Sequence, residues 1–229
     1  MNVFKRVEQK YILTDDKYNI LMNEIKERLE KDKYFKSTVC NLYLDSDNND
    51  LIINSIDKPI YKEKVRVRSY QVPESQDKVF LELKAKYDGI VFKRRIPMKL
   101  NEFYDYIETG VKPIKDNQIM DEIDYIIKKY DLKPKLFLAY DRVSFYDKDD
   151  KDFRITFDTN LRSRKDNLLL EFGDAGKLYN KDKFYIMELK SRKALPMWFV
   201  KVLSKNNIYP QSFSKYGNIY KKGMVKEYV

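Results

Sequence analysis

The sequence predicts an α+β fold: an eight-stranded antiparallel β-barrel with helices packed on its outside and ends. Three observations lead there. Between Tyr61 and Pro97, three neighbouring runs (YKEKVRVRSY, KVFLELKAK and GIVFKRRIP) alternate with a period of two, the period of a strand. About eight such runs occur along the 229 residues, separated by turn signals rather than linkers. Helical spacing is confined to the turns and ends, and a strand-rich chain with regular hairpins closes, or nearly closes, into a barrel. No low-complexity tract divides the chain, so residues 1–229 are read as a single domain.

In order, residues 4–13 alternate as a strand, with Phe4, Arg6, Glu8, Lys10 and Ile12 on one face. Thr14-Asp15-Asp16 then caps a helix to about Lys31, whose apolar positions Tyr18, Leu21, Met22, Ile25 and Leu29 keep helical spacing. Residues 37–44 form a second strand, and residues 49–56 a short helix. The three basic strands follow, the last two joined at Asp88-Gly89, a hairpin dipeptide. Two helices over 102–108 and 118–130 are punctuated by Gly110 and Pro113. Residues 135–146 and 153–159 read as a hairpin. Residues 167–172 and 184–190 read as two more strands, and 194–205 as an amphipathic helix.

Composition removes several chemistries. With no histidine, there is no phosphohistidine, no Ser-His triad and no His metal ligand. The single Cys40 forms no internal disulfide and no cysteine zinc site, which points to a reducing compartment. No apolar run approaches the length of a membrane span, and no signal peptide is read, so a cytoplasmic protein is expected. The net charge of +10 favours an anionic partner.

If each apolar strand face packs against helices, the opposite faces gather Arg6, Glu8 and Lys10; Lys64, Arg66 and Arg68; Glu82 and Lys84; Lys93 and Arg95; Arg142; Arg154, Thr156 and Asp158; and Glu188 and Lys190. Any one run could be a solvated sheet face, or an edge strand guarded by lysines. Recurrence over at least six strands, always opposite an apolar face, favours a lined interior. Like charges about 6 Å apart at a dielectric of about 20 repel by roughly 3 kcal/mol. Such a lining is therefore unfavourable unless a polyanion neutralises it. Arg offers forked donors to phosphate and Lys a point charge, while the Glu residues offer the hard oxygens that suit Mg²⁺ or Mn²⁺.

Several motifs occur in a fixed order: Arg6-Val7-Glu8-Gln9-Lys10-Tyr11, Lys64-Val65-Arg66-Val67-Arg68-Ser69-Tyr70, Phe80-Leu81-Glu82-Leu83-Lys84, Lys93-Arg94-Arg95, Tyr140-Asp141-Arg142, Phe153-Arg154-Ile155-Thr156-Phe157-Asp158, Met187-Glu188-Leu189-Lys190 and Ser214-Lys215-Tyr216. The ordered set resembles the VTC domains, the polyphosphate polymerase domains of the triphosphate tunnel metalloenzymes. The resemblance covers nearly the whole chain and implies a barrel enclosing a basic tunnel. It implies catalytic roles for Lys10, Arg66, Arg68, Lys84, Arg142 and Arg154. Lys64, Lys93, Arg95, Lys190, Ser214 and Lys215 would bind phosphate. Glu188 would hold the metal, with Glu8 and Glu82 where related tunnel enzymes also use carboxylates. The SPX domain and membrane-spanning tail of eukaryotic members are not among these residues, so inositol phosphate regulation and coupled translocation are not carried over.

The expected activity is metal-dependent transfer of the γ-phosphate of ATP, or another nucleoside triphosphate, to a growing polyphosphate chain. Phosphoryl transfer needs mainly positioning and charge stabilisation, so the absence of His and of a P-loop is no obstacle. A triphosphatase in the same tunnel, and a non-catalytic polyphosphate or RNA binder, are the alternatives. Nucleic acid is disfavoured because the tyrosines fall mostly on apolar faces or in helices. A separate membrane protein is a further expected partner, with peripheral membrane association the alternative location.

Overall fold

The computed structural model describes residues 7–227 except Lys58, Gly89 and Lys193. Phe4, Arg6 and Gly89, assigned above to the first strand and the hairpin turn, lie outside the described residues. The elements are β1 (Val7–Thr14), α1 (Asp15–Ile25), β2 (Leu29–Asp45), α2 (Asp50–Ile56), β3 (Tyr61–Ser69), β4 (Lys78–Tyr87), β5 (Ile90–Lys99), α3 (Leu100–Thr109), α4 (Gln118–Lys129), β6 (Lys133–Asp147), β7 (Arg154–Arg164), β8 (Lys177–Leu178), β9 (Phe184–Ser191), α5 (Met197–Lys205) and α6 (Lys215–Glu227). The strand order is β1-β9-β7-β6-β2-β3-β4-β5, with β8 beside β7. This is the antiparallel α+β architecture expected. The order has two ends, β1 and β5, so the ladder of described strands is open rather than closed by hydrogen bonds. Among the described residues no helix is long and apolar enough to cross a membrane.

The chain forms two compact units. The first comprises Met1–Ser37, Tyr140–Leu161 and Leu178–Ser214, and the second Thr38–Ala139, Arg162–Lys177 and Lys215–Val229. Each has its own core. In the first, Tyr11 and Leu13 of β1, Ile155 and Phe157 of β7, and Met187 and Leu189 of β9 bury against Leu21 and Ile25 of α1 and Phe199 and Leu203 of α5. In the second, Val65, Val67, Val79, Leu81 and Ile96 bury against Phe103 of α3 and Ile123 of α4. Burial of these alternate residues holds the strands' register, since a one-residue slip would turn the apolar set outward. Thr14 caps α1 as expected, its hydroxyl accepting from Lys17 N at 3.3 Å. Gly110 ends α3 at φ 72°, a left-handed position that favours glycine.

Three local readings change. First, α1 stops at Ile25, and β2 starts at Leu29 rather than at 37. Arg28, in the 3-10 turn Lys26–Arg28 that precedes the strand, pairs with Asp149 (2.9 Å), and the alternate strand residues Glu30 and Asp32 pair with Lys151 and Arg154. Those alternate partners reward extension from Leu29 onward. Second, residues 167–172 are not a strand. Arg164 collects the carbonyls of Asn167, Leu169, Gly173 and Ala175 at 2.7–2.9 Å, which holds this segment as a loop around one guanidinium. Third, the tail that holds Ser214-Lys215-Tyr216 runs on as α6, anchored where Tyr216 packs on Tyr43 (ring centroids 4.5 Å apart) and donates to Asp45 at 3.0 Å. Asp45 also accepts from the first amides of α2, Leu51 N and Ile52 N.

Candidate functional site: two charged strand faces

In the second unit, the polar sides of β2 to β5 fall into cross-strand rows. Tyr43, Arg66, Glu82 and Arg95 form one. Asn41, Arg68, Phe80 and Pro97 form the next. On the other side Lys64, Lys84 and Lys93 stand directly opposite one another. Like charges so placed repel.

Glu82 organises this face. It is 1% exposed. Its Oε2 accepts from Arg66 Nε at 2.8 Å and lies 3.9 Å from Arg68 Nε. Its Oε1 accepts from Arg95 Nε at 2.6 Å and pairs with Lys93 Nζ at 3.0 Å. A second set of groups aims the guanidiniums. Arg66 Nη1 donates to Tyr43 (3.0 Å), Arg68 Nε to Asn41 (3.0 Å) and Arg95 Nη2 to Tyr70 (2.7 Å). Arg95 also lies 4.3 Å over the Phe80 ring. Burial works to raise the Glu82 pKa, but Arg66, Arg68 and Lys93 outweigh it and hold the carboxyl well below its usual range.

The fit of Glu82 to a metal is poor, because four cationic side chains already surround its two oxygens. In this structure it anchors cations, at a position where the resemblance implies a metal-side carboxylate.

The Tyr43 hydroxyl was not among the candidates. Burial opposes its ionisation, yet Arg66, Lys64 and Arg68 pull its pKa from 10.0 down to about 8. An ultraviolet pH titration should therefore show one phenolate forming near pH 8, lost in Tyr43→Phe. Because the folded value is the lower one, this group contributes its full stability above pH 10 and loses it as pH falls through about 8. The variant's stability should lack that rise, and a titration identical to wild type would contradict the assignment.

In the first unit, Lys10, Glu188 and Thr156 form a row across β1, β9 and β7, and Glu8, Lys190 and Arg154 the next. Arg142 of β6 forks onto Asp158, Nε to Oδ1 at 2.6 Å and Nη2 to Oδ2 at 2.8 Å, and its Nη2 lies 3.5 Å from Glu188 Oε2. Lys190 Nζ is 3.3 Å from Glu188 Oε1. Lys10 Nζ donates to the Phe213 carbonyl at 3.1 Å. Burial pushes the Glu188 carboxyl up, but Lys190, a hydrogen bond with Glu8, Arg142 and Lys10 together hold it well below the usual range. Arg142 is likewise held firmly charged by Asp158 against its burial. The Thr156 hydroxyl is buried in this face and has no hydrogen-bond partner among the described residues.

Of the candidates, Lys64, Arg66, Arg68, Glu82, Lys84, Lys93 and Arg95 thus share the face of the second unit. Glu8, Lys10, Arg142, Glu188 and Lys190 share that of the first. Arg154 is on the same strand row but is half-exposed and paired with Asp32. Ser214 and Lys215 stand where α6 begins. The fit to a divalent cation is best at Glu188 with Glu8: two adjacent carboxylates suit Mg²⁺ or Mn²⁺, which take one or two protein carboxylates and complete their shell with phosphate and water. Among the described residues no group of three or more His, Cys, Asp or Glu side chains is arranged to hold a metal ion. Asn41 and Tyr43 were missed as site residues, and Asp158 and Tyr70, which lie in the motifs quoted above, were given no role. Asn41 and Tyr43 had a signal, as polar positions alternating with Cys40, Leu42 and Leu44 in an otherwise apolar strand.

The profile of the VTC domain matches residues 5–223. The chain belongs to the VTC domain family. A Bacillus halodurans protein described as a candidate adenylate cyclase aligns with this VTC domain at 14% identity over 91% of the present chain and 93% of its own, with a TM-score of 0.57, which shows a shared fold. A Vibrio parahaemolyticus protein described in the same way (11% identity, 94% and 97% coverage, TM-score 0.49) and a mimivirus capping enzyme triphosphatase (8%, 86% and 87%, 0.35) resemble it more loosely. No curated protein matches the chain.

Proposed function

We propose that this VTC domain is a polyphosphate polymerase: it transfers the γ-phosphate of ATP to the end of a polyphosphate chain. The supporting observation is the face of the second unit, where Arg66, Arg68, Lys93 and Arg95 gather round Glu82 and Lys64 and Lys84 stand in the next row. Arginines and lysines gathered in adjoining rows of one strand face suit a polyanion, because phosphate oxygens accept the forked donors of guanidiniums and the point charge of ammoniums.

In this reading those six side chains bind and align phosphates, with Tyr43, Asn41 and Tyr70 fixing the guanidinium planes. The resemblance supports phosphate-binding or catalytic roles for Lys10, Arg142, Arg154, Lys190, Ser214 and Lys215 as well, with residues 1–229 acting as one catalytic domain. Mn²⁺ or Mg²⁺ held by Glu188 and Glu8 would neutralise charge on the triphosphate. The terminal oxygen of the chain forms a bond to the γ-phosphorus as the bond to the β,γ-bridging oxygen breaks, and ADP leaves. Catalysis is positioning and charge stabilisation, with no side-chain nucleophile.

Incubation with ATP and Mn²⁺ should give a polyphosphate ladder on a gel. Free phosphate without a ladder would replace this reading with a triphosphatase, and no turnover of ATP or tripolyphosphate would leave a binding protein.

A further inference from the structure

We propose that the tip of the β4–β5 hairpin, with the adjoining start of β3, docks the protein on an anionic lipid bilayer. The apolar face of β3–β5 is buried under α3 and α4 along most of its length, but not at this end. Ile60 is 70% exposed, Tyr61 44%, Tyr87 55%, Ile90 56%, Val91 49% and Phe92 42%. They are contiguous. Tyr61 faces Tyr87 and Tyr87 faces Ile90 across the strands, and the amide of Asp88 donates to the Ile60 carbonyl at 2.9 Å. Exposed apolar side chains clustered in this way mark an interaction surface.

The arrangement favours a bilayer over a flat protein partner. Ile90 and Phe92 lie on one face of the hairpin, and Val91 lies on the other, opposite Lys86. A partner pressed against the face of Ile90 and Phe92 would leave Val91 in water. An interfacial medium that surrounds the tip covers both. Lys62 and Lys86 face each other one row behind the tip, and Lys62 Nζ reaches the Ser55 carbonyl at 3.3 Å. Their stems can lie along the apolar zone while the ammonium groups meet lipid phosphates. Tyrosines beside such lysines suit the headgroup level.

The test is sedimentation of the full chain with vesicles of phosphatidylcholine alone and with phosphatidylserine added. Wild type should pellet with the anionic vesicles and be released as salt rises. The Ile90→Ser, Phe92→Ser double variant changes only exposed side chains and should bind at least roughly tenfold more weakly. Lys62→Glu with Lys86→Glu should lose the preference for anionic lipid, and ATP turnover without vesicles should be unchanged in the Ile90→Ser, Phe92→Ser variant. Wild type that stays in the supernatant, or a double variant that pellets equally well, would overturn the proposal. So would a concentration-dependent dimer that the double variant abolishes, because the patch would then be covered by a second copy.

Discussion

Replacing Glu82 with glutamine should lower stability by about 3–5 kcal/mol, the cost of removing one partner from a buried ion-pair network. The glutamine keeps the shape and much of the hydrogen bonding, so what is lost is the charge. Arg66, Arg68, Lys93 and Arg95 then face one another without the carboxylate they share. Tripolyphosphate should restore the difference: its gain in melting temperature should be larger for Glu82→Gln than for wild type, since the ligand supplies the missing negative charge. Acid provides an independent check. The Glu82 pKa is depressed on folding from an ordinary 4.5, so its contribution is fully present above about pH 4.5 and is lost as pH falls below it toward the folded value. Denaturant midpoints should show this acid loss in wild type and a smaller one in the variant. An unchanged midpoint in Glu82→Gln at neutral pH would mean that the four cations are balanced elsewhere.

Much of this face was legible before any coordinates. The alternation from Tyr61 to Pro97 is local, and Asp88-Gly89 joins the last two strands, so register and face followed from the pattern. Arg66, Glu82 and Arg95 fell on one side because Val65, Leu81 and Ile96 had to fall on the other. The role of Glu82 was not legible. A Glu two residues before a Lys reads alike as a metal ligand or an ion pair, and only the cross-strand neighbours distinguish them. Glu188-Leu189-Lys190 has the same spacing, yet its neighbours are Glu8, Lys190 and Arg142, and its cations lie at 3.3–3.5 Å rather than in close contact. The extension of β2 from Leu29 was hidden for a similar reason: its partners Lys151 and Arg154 are more than a hundred residues away. Tyr43 was overlooked because an aromatic in an apolar strand is ordinarily core; here its ring is buried and only its hydroxyl reaches Arg66.

That difference between the two glutamates leads to opposite expectations for Glu188→Gln. Stability should fall less than in Glu82→Gln, because Arg142 keeps both oxygens of Asp158 and Glu8 remains beside the cations. Mn²⁺-dependent turnover should fall on the order of 10³-fold, the scale seen when a charge-stabilising group is removed from a transition state. Binding of tripolyphosphate without metal should be equal or tighter, since one negative charge has left a basic face. Mn²⁺ affinity, read by electron paramagnetic resonance of the free ion, should drop in parallel with turnover. The combination is what matters: a variant that still folds and holds the anion but loses the ion separates a metal ligand from a structural ion pair. Unchanged Mn²⁺ affinity in Glu188→Gln would place the ion elsewhere and reduce Glu188 to a counter-charge for Lys190 and Arg142.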